Sequence, residues 1–184
     1  MSLRTRFSAV LTLLIAVLGL TAASTSADAS ADHATARPAA AKSSIPRTYD
    51  AALQHFRQAD GGVMKVRRFL TPSGNIYCVI ARKGLPKGCE INEGSIKDPA
   101  VCSGNPVSKY VGRIEFHNNR ATPICNTDTI REPGAPTLPY GTAAKFPTSS
   151  VKCLSESIGV TCISLVRTEG FFLHRGEYVI FNAG

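Results

Sequence analysis

The spacing of apolar residues divides the chain into stretches of different character. A charge-free, mostly apolar run fills residues 9–20, and residues 24–47 contain almost no large apolar side chain. Apolar positions return with helical spacing after Thr48, and from Val63 onward they alternate with polar ones. A period of two predicts strands and a period near 3.6 predicts a helix, so the sequence predicts one short helix followed by a β domain.

The predicted helix has a defined start, face and end. Four apolar residues follow the i, i+3, i+4, i+7 spacing of one helix face: Tyr49, Ala52, Leu53 and Phe56. Thr48 can cap the helix N-terminus, and Gly61-Gly62 ends the pattern. Because a helix of this length is marginal by itself, we expect its apolar face to pack on the domain that follows. His55 lies beside that face and is interpreted as a boundary residue.

Short strands separated by turn residues make up the rest of the chain. The predicted strands are Val63–Leu70, Ile76–Ala81, Cys89–Ile91, Tyr110–His117, Ala121–Cys125, Val151–Glu156, Gly159–Leu165, Phe171–His174 and Glu177–Asn182. Both faces of the last strand are apolar, which is typical of a central strand. Many short strands at this spacing predict an all-β, mainly antiparallel fold, either a small sandwich or a partly open barrel.

The strand Tyr110–His117 has the clearest alternation of apolar and charged positions. Ile114 and Phe116 lie on one face, and Arg113, Glu115 and His117 lie on the other. In an antiparallel sheet this pattern predicts one buried face and one face in contact with water.

The N-terminal 27 residues have the features of a secretory signal peptide. Arg4 and Arg6 precede the apolar run, and small residues follow it. Cleavage fits after Ala27 or after Ala31, and we slightly favour Ala27. The apolar run is too short for a transmembrane anchor, so we expect a secreted protein with no stable membrane anchor after cleavage.

Composition agrees with a secreted domain. Of the 184 residues, 43% are apolar and 18% are charged, so neither disorder nor a coiled coil fits the bulk of the chain. Residues 28–47, rich in Ala, Ser and Thr, are the exception and are predicted to form a disordered tether. Residues 48–184 are predicted to form one disulfide-linked β domain. The 11 Pro, 15 Gly and 6 Cys favour a loop-rich extracellular fold.

Net charge adds a candidate binding site. Removal of residues 1–27 takes away two arginines and no acidic residue, so the net charge falls from +8 to +6. A basic surface can serve solubility, or it can bind an anionic polymer. Lys83 and Lys87, at the tip of the hairpin between Cys78 and Cys89, are the candidate binding residues, together with Arg82 beside them and with Lys65 and Arg67, which alternate along one predicted strand.

The six cysteines predict three disulfides. They lie at positions 78, 89, 102, 125, 153 and 162, without a C-x-x-C pair or a histidine at zinc-finger spacing. Fifteen pairings are possible in principle. Cys153 and Cys162 flank a tight turn, as do Cys78 and Cys89, so each pair can face across a hairpin. By elimination Cys102 pairs with Cys125.

A set of ordered motifs resembles a family of small secreted actinobacterial proteins of unknown function. The motifs are F-x-x-P-S-G-N-I-x-C (69–78), G-C-E-I (88–91), C-x-x-D-T (125–129), L-P-Y-G (138–141), C-x-S-x-x-x-G-V-x-C (153–162) and G-F-x-L-x-R-x-x-Y-x-x-F (170–181). The resemblance covers roughly residues 66 to 181. It implies an extracellular address and a disulfide-linked β domain, and it brings no activity or catalytic residue. The chain departs from the family pattern at Thr168-Glu169 and in its more basic segment 83–87.

Two classes of function remain. The favoured class is a non-catalytic, monomeric interaction domain without cofactor or metal, which acts at or outside the cell envelope on an anionic polymer or a secreted protein. The alternative is a small nuclease-like hydrolase that uses His117, Glu115 and Arg113, because ionisable groups on one strand face can supply acid–base catalysis. Size and disulfides alone would also fit a protease inhibitor. The even cysteine count argues against a Cys-His hydrolase, and no G-x-S-x-G motif is present.

Overall fold

A computed structural model describes residues 44–84 and 86–182 of the chain. The predicted signal peptide and residues 28–43 of the predicted tether lie outside the described residues. Of the remaining tether, Ile45 packs against the apolar cluster beneath the helix, and Pro46 is buried. None of the helices in the described part is long and apolar enough to span a membrane.

Within the described residues, two helices and twelve strands follow one another along the chain. They are α1 (Tyr49–Gln58), β1 (Val63–Lys65), β2 (Arg68–Leu70), β3 (Ile76–Val79), β4 (Lys87–Ile91), β5 (Ile96–Lys97), α2 (Pro99–Cys102), β6 (Tyr110–His117), β7 (Arg120–Cys125), β8 (Ala143–Lys145), β9 (Val151–Glu156), β10 (Gly159–Ser164), β11 (Gly170–His174) and β12 (Glu177–Phe181). Thr48 caps α1 as predicted, since its side chain accepts a hydrogen bond from the Ala51 N–H (3.2 Å).

The strands form two sheets that pack face to face. Sheet A has the order β1-β8-β9-β10-β11-β12. Sheet B has the order β2-β3-β4-β6. One edge of β6 pairs with β4 and, further along, with β5, and its other edge pairs with β7. Only β1 and β8 pair in parallel among the described strands. The predicted all-β, mainly antiparallel fold is therefore confirmed as an open sandwich, and the described strands do not close into a barrel.

The prediction of one strand over Val63–Leu70 is wrong, because the structure divides that segment between the sheets. β1 pairs with β8 in sheet A, whereas β2 pairs with β3 in sheet B. The chain crosses between them at Val66-Arg67, where the Arg67 carbonyl accepts from Ile80 N (2.8 Å). Alternation continues through the crossing, so the pattern contains no sign of it. The short elements β5, β8 and α2 were not predicted.

The last strand, β12, is an edge strand and not the predicted central one. It pairs with β11 alone among the described strands. Both of its faces are nevertheless packed: Tyr178 and Ile180 contact the core between the sheets, and Val179 and Phe181 lie in the cluster beneath α1. The apolar pattern thus predicted correctly that both faces of β12 are covered, but it did not predict how many strands pair with β12.

All three predicted disulfides are present. Cys78 pairs with Cys89 and Cys153 with Cys162, each across directly facing positions of a hairpin. The third joins Cys102 at the end of α2 to Cys125 at the end of β7. The two hairpin disulfides meet in the middle of the sandwich, where the Sγ atoms of Cys89 and Cys162 lie 3.5 Å apart. They are part of the hydrophobic core, which joins the two sheets.

Helix α1 packs on the outer face of sheet A. Ala52 is fully buried there, with Ile163, Phe172 and Phe181 of the sheet beneath it. His55, predicted as a boundary residue, is 9% exposed, and its Nδ1 lies 2.8 Å from Oε1 of Glu156. The helix therefore adds a second small apolar cluster to the main core.

Candidate functional site

The three candidate catalytic residues of β6 form a connected row on the outer face of sheet B. Glu115 lies in the middle: its Oε1 is 2.6 Å from Arg113 Nε and its Oε2 is 2.9 Å from His117 Nε2. The predicted shared face of these residues is therefore correct. Their alternating positions on one strand bring the three side chains together.

The expectation that this face contacts water is wrong for two of the three. Arg113 is 8% exposed and Glu115 is 3% exposed, whereas the His117 side chain is 51% exposed. Part of the cover comes from the segment 126–132. Asp128 accepts hydrogen bonds from Arg113 Nη1 through its carbonyl (3.1 Å) and its carboxylate (3.2 Å). This contact gives Asp128, the Asp of the C-x-x-D-T motif, a structural role.

A second buried carboxylate holds the same segment. Glu90 of β4, 6% exposed, accepts from the Thr129 hydroxyl (2.8 Å) and from Ile130 N (2.7 Å), and it pairs with Arg131 Nε (3.4 Å). Glu90 faces Arg113 across the β4–β6 pair. The outer face of sheet B thus carries a buried polar layer that fastens the segment over it, because buried charges are tolerated when they are paired.

This geometry limits what the row can do chemically. The Arg113 guanidinium is already bound by Glu115 and Asp128, so it is not presented to a ligand. The hydrogen bond of Thr127 and then the positive charge of Arg113 lower the pKa of Asp128. His117 is the exposed member, held at Nε2 by a buried carboxylate. The arrangement could offer one oriented imidazole base to solvent.

The candidate binding residues Lys83 and Lys87 lie at one end of the sandwich, in a basic cleft of about 390 Å³. Arg67 and Arg82 line the same cleft. Lys83 is exposed, and Lys87 is half-buried and donates from Nζ to the Ser150 hydroxyl (2.9 Å). The structure therefore brings these four candidate residues to one place.

A row of lysines lies next to this cleft, and of its three members the sequence predicts only Lys65 as a candidate. Lys65 of β1 faces Lys145 of β8, and Lys145 faces Lys152 of β9. Directly paired residues project from the same face of a sheet, so the three side chains stand side by side on the outer face of sheet A. Neighbouring strands lie about 4.8 Å apart. We call this set the lysine row.

Two members of the lysine row, Lys145 and Lys152, repel each other. Burial, and then the positive charge of Lys145, lower the pKa of Lys152. The Lys152 ammonium lies over the ring of Phe56, 4.8 Å from its centroid. No described carboxylate forms an ion pair with any of the three lysines.

The lysine row and the basic cleft form one surface. Arg67 follows Lys65 by two residues, and its guanidinium lies 4.6 Å from the ring centroid of Phe146, the residue after Lys145. We call this surface the basic end. It contains Lys65, Arg67, Arg82, Lys83, Lys87, Lys145 and Lys152. Of these, Arg82 alone is ion-paired among the described residues, with Glu132 (2.7 Å).

No family model, no curated protein and no solved structure matches the chain.

Proposed function

We propose that the protein is a secreted, non-catalytic interaction domain that binds a phosphate-bearing polymer through its basic end. The observation that carries the proposal is the lysine row. Like charges that face each other directly across strands destabilise a sheet. Folding alone therefore does not favour three facing lysines without a described carboxylate partner, whereas a bound polyanion would turn their repulsion into attraction.

The shape of the basic end favours a polymer over a small anion. Its cations extend from Lys152 across three strands to Arg67 and on to Lys83 in the turn after β3. A line of charges matches successive phosphates along a chain better than it matches one ion.

The surface offers no stacking platform for bases. The ring of Phe146 is covered by Arg67 and that of Phe56 by Lys152, and both side chains are half-buried. Exposed aromatic rings are the usual support for bases in single-stranded nucleic-acid binding. The shared chemistry is thus the phosphodiester backbone, and binding is expected not to depend on base sequence.

Three observations support an extracellular address. The N-terminal 27 residues have the sequence of a signal peptide, the domain contains three disulfides, and the motifs resemble a family of secreted proteins. A phosphodiester polymer of the cell envelope and extracellular nucleic acid are the two sources of such a ligand in that compartment.

The proposal is tested by fluorescence anisotropy of the secreted protein with a labelled oligothymidylate and a labelled polyglycerolphosphate of similar charge. We expect both to bind, with log affinity falling linearly as log salt rises. Replacement of two exposed lysines of the row, Lys65→Gln/Lys145→Gln, should reduce the slope by about 2. The matched control Lys97→Gln/Lys109→Gln removes the same charge at exposed sites elsewhere and should leave the slope unchanged.

Specific outcomes would contradict the proposal. Absence of binding to both polymers, insensitivity to salt, or an equal loss in the two double variants would each show that the basic end is a solvated surface and no more. A large preference for oligothymidylate would identify nucleic acid as the ligand, whereas similar affinities would identify backbone recognition.

The contact between Glu115 and His117 favours a second candidate, the nuclease-like hydrolase. A buried carboxylate that holds a half-exposed imidazole is an arrangement used in acid–base catalysis. Assay of the purified protein on RNA, DNA and peptidoglycan, with His117→Ala as the comparison, decides between the two. Activity that His117→Ala abolishes would establish the hydrolase, and absence of activity on all three would leave the row as a structural ion pair.

A further inference from the structure

A second cleft lies at the other end of the sandwich. It encloses about 490 Å³, which falls in the range of small-molecule sites, and it is open to solvent. Its walls are mainly turns: residues 71 and 73–76 leading into β3, 92–93 after β4, 156, 157 and 159 at the β9–β10 turn, and 174–175 at the β11–β12 turn. Tyr140 of the L-P-Y-G segment completes the wall. Segments distant in sequence thus meet in one place.

Hydrogen bonds tie the turns of this cleft together. The Asn75 amide donates to the Glu93 carbonyl (3.0 Å) and accepts from Glu93 N (2.7 Å). Arg131 fixes the same turn by donating to the Asn75 carbonyl (2.7 Å). Ser95 N donates to the Arg175 carbonyl (3.2 Å), which joins the loop after β4 to the β11–β12 turn. The cleft is therefore preorganised, because its rims are linked by backbone and amide contacts.

Several polar groups in the cleft remain unused by the fold. Among the residues that the structure describes, no hydrogen bond or ion pair engages the side chains of Asn92, Glu93, Tyr140, Ser157 and Arg175, and His174 uses only its Nδ1. They provide both donors and acceptors: an amide, a carboxylate, two hydroxyls, a guanidinium and an imidazole. A rigid cleft that presents unpaired groups of both kinds is suited to a ligand with many hydrogen-bonding groups of its own.

The balance of charge and shape narrows the ligand class. Glu93 and Glu156 oppose the single guanidinium of Arg175, so the cleft does not attract polyanions in the way the basic end does. Its polar walls do not suit an apolar ligand. It is walled by turns, which offer no unpaired strand edge for an extended peptide to join. A neutral molecule rich in hydroxyl groups fits the remaining requirements.

Tyr140 supplies the apolar face that such a ligand needs. Leu138, two residues before Tyr140, is fully buried, and its N–H donates to the Leu70 carbonyl (2.8 Å). Gly141, at φ +76°, makes the bend that follows, and its N–H donates to the Ser155 carbonyl (2.8 Å). The segment is thereby anchored on both sides of Tyr140, which stays 43% exposed at the cleft. A fixed, exposed ring can contact the C–H face of a sugar while the polar groups bind its hydroxyls.

We infer that this polar cleft binds an uncharged segment of a glycan. The inference is independent of the proposed polyanion binding, because the two sites share no residue.

The test is NMR chemical-shift perturbation of the secreted protein with neutral tetrasaccharides of different configuration: N-acetylchitotetraose, maltotetraose and mannotetraose. At least one should shift resonances of Tyr140, Asn92 and Ser157. Tyr140→Ala should weaken that binding about three- to tenfold. The matched control Tyr110→Ala removes a ring of similar exposure, 39%, outside the cleft and should leave the affinity unchanged. Asn92→Asp, which removes the amide N–H donors and leaves the ring in place, should also weaken it.

Three results would overturn the inference. The first is that none of the tetrasaccharides shifts cleft resonances at millimolar concentration. The second is an equal loss of affinity in the Tyr140 and Tyr110 variants. The third is that an uncharged tetrapeptide shifts the cleft resonances while the sugars do not, which would assign the cleft to peptides. A polyanion titration of Tyr140→Ala separates this inference from the proposed function, since that variant keeps the whole basic end.

Discussion

Loss of the Glu90 carboxylate should destabilise the fold strongly while loss of its neighbour Glu93 should not. Glu90 is 6% exposed and receives hydrogen bonds from the Thr129 hydroxyl and Ile130 N, in addition to its ion pair with Arg131. Glu90→Ala removes the acceptor for all three. Glu93 is exposed, and its side chain has no partner among the described residues.

The magnitude follows from what Glu90→Ala leaves behind. A buried hydroxyl or N–H without a partner costs about 1–3 kcal/mol, and removal of one partner of a buried ion pair costs about 3–5 kcal/mol. These contributions overlap, because the same segment can move and expose all the groups to water together. We therefore expect the free energy of unfolding to fall by about 3–5 kcal/mol in Glu90→Ala. Glu90→Gln keeps the size but has one acceptor oxygen for the Thr129 hydroxyl, Ile130 N and Arg131, and should lose about 1–3 kcal/mol.

Urea unfolding followed by far-UV circular dichroism measures these changes, and Glu93→Ala should stay within about 0.5 kcal/mol of the parent. Hydrogen exchange adds a local readout: the Ile130 amide should exchange faster in both Glu90 variants. If Glu90→Ala lowered the free energy of unfolding no more than Glu93→Ala, or if the Ile130 amide kept its protection from exchange, Glu90 would not hold the segment 126–132.

Two further predictions concern the Cys102–Cys125 disulfide and the lysine row. Replacement of Cys102 and Cys125 by alanine should lower the free energy of unfolding by about 3 kcal/mol, which is the chain-entropy value for their separation of 23 residues. Urea unfolding measures this change, and a loss under about 1 kcal/mol would refute the prediction. Lys145→Gln should raise the pKa of Lys152 toward the ordinary lysine value in an NMR titration, because a neighbouring positive charge is removed. Because the pKa of Lys152 is lower in the folded state, the free energy of unfolding rises with pH between the folded and unfolded pKa values of Lys152. This rise should be smaller in Lys145→Gln. An unchanged pKa of Lys152 would show that the two ammonium groups do not interact.

Much of the fold could be predicted because local pattern and tertiary structure agree in the hairpins. Cys153 and Cys162 flank a turn at a spacing that lets them face each other, and the register places them opposite each other. The strands β6 and β9 have the predicted bounds, Tyr110–His117 and Val151–Glu156. In contrast, β8 (Ala143–Lys145) is three residues long and has no recognisable alternation, so only its pairing with β1 and β9 makes it a strand.

The candidate sites show which features sequence patterns do not predict. Alternation predicted correctly that Arg113 and Glu115 share a face, but it could not show that the face is covered, because a buried polar layer and a wet surface use the same residue types. Lys65, Lys145 and Lys152 are far apart in sequence. Their alignment depends on a parallel pairing between β1 and β8, and the alternation of residues does not indicate which distant strands pair.

The direction of the strands places the two proposed sites at opposite ends of the sandwich. Strand β9 begins beside Ser150, which binds Lys87 of the basic end, and it finishes at Glu156, which lines the polar cleft. It contains six residues, and at about 3.3 Å per residue it spans roughly 20 Å. Exposed charges are screened over about 8 Å at physiological ionic strength, so a polyanion at the basic end has little direct electrostatic effect on a sugar in the cleft. The two proposed sites can therefore be occupied at once.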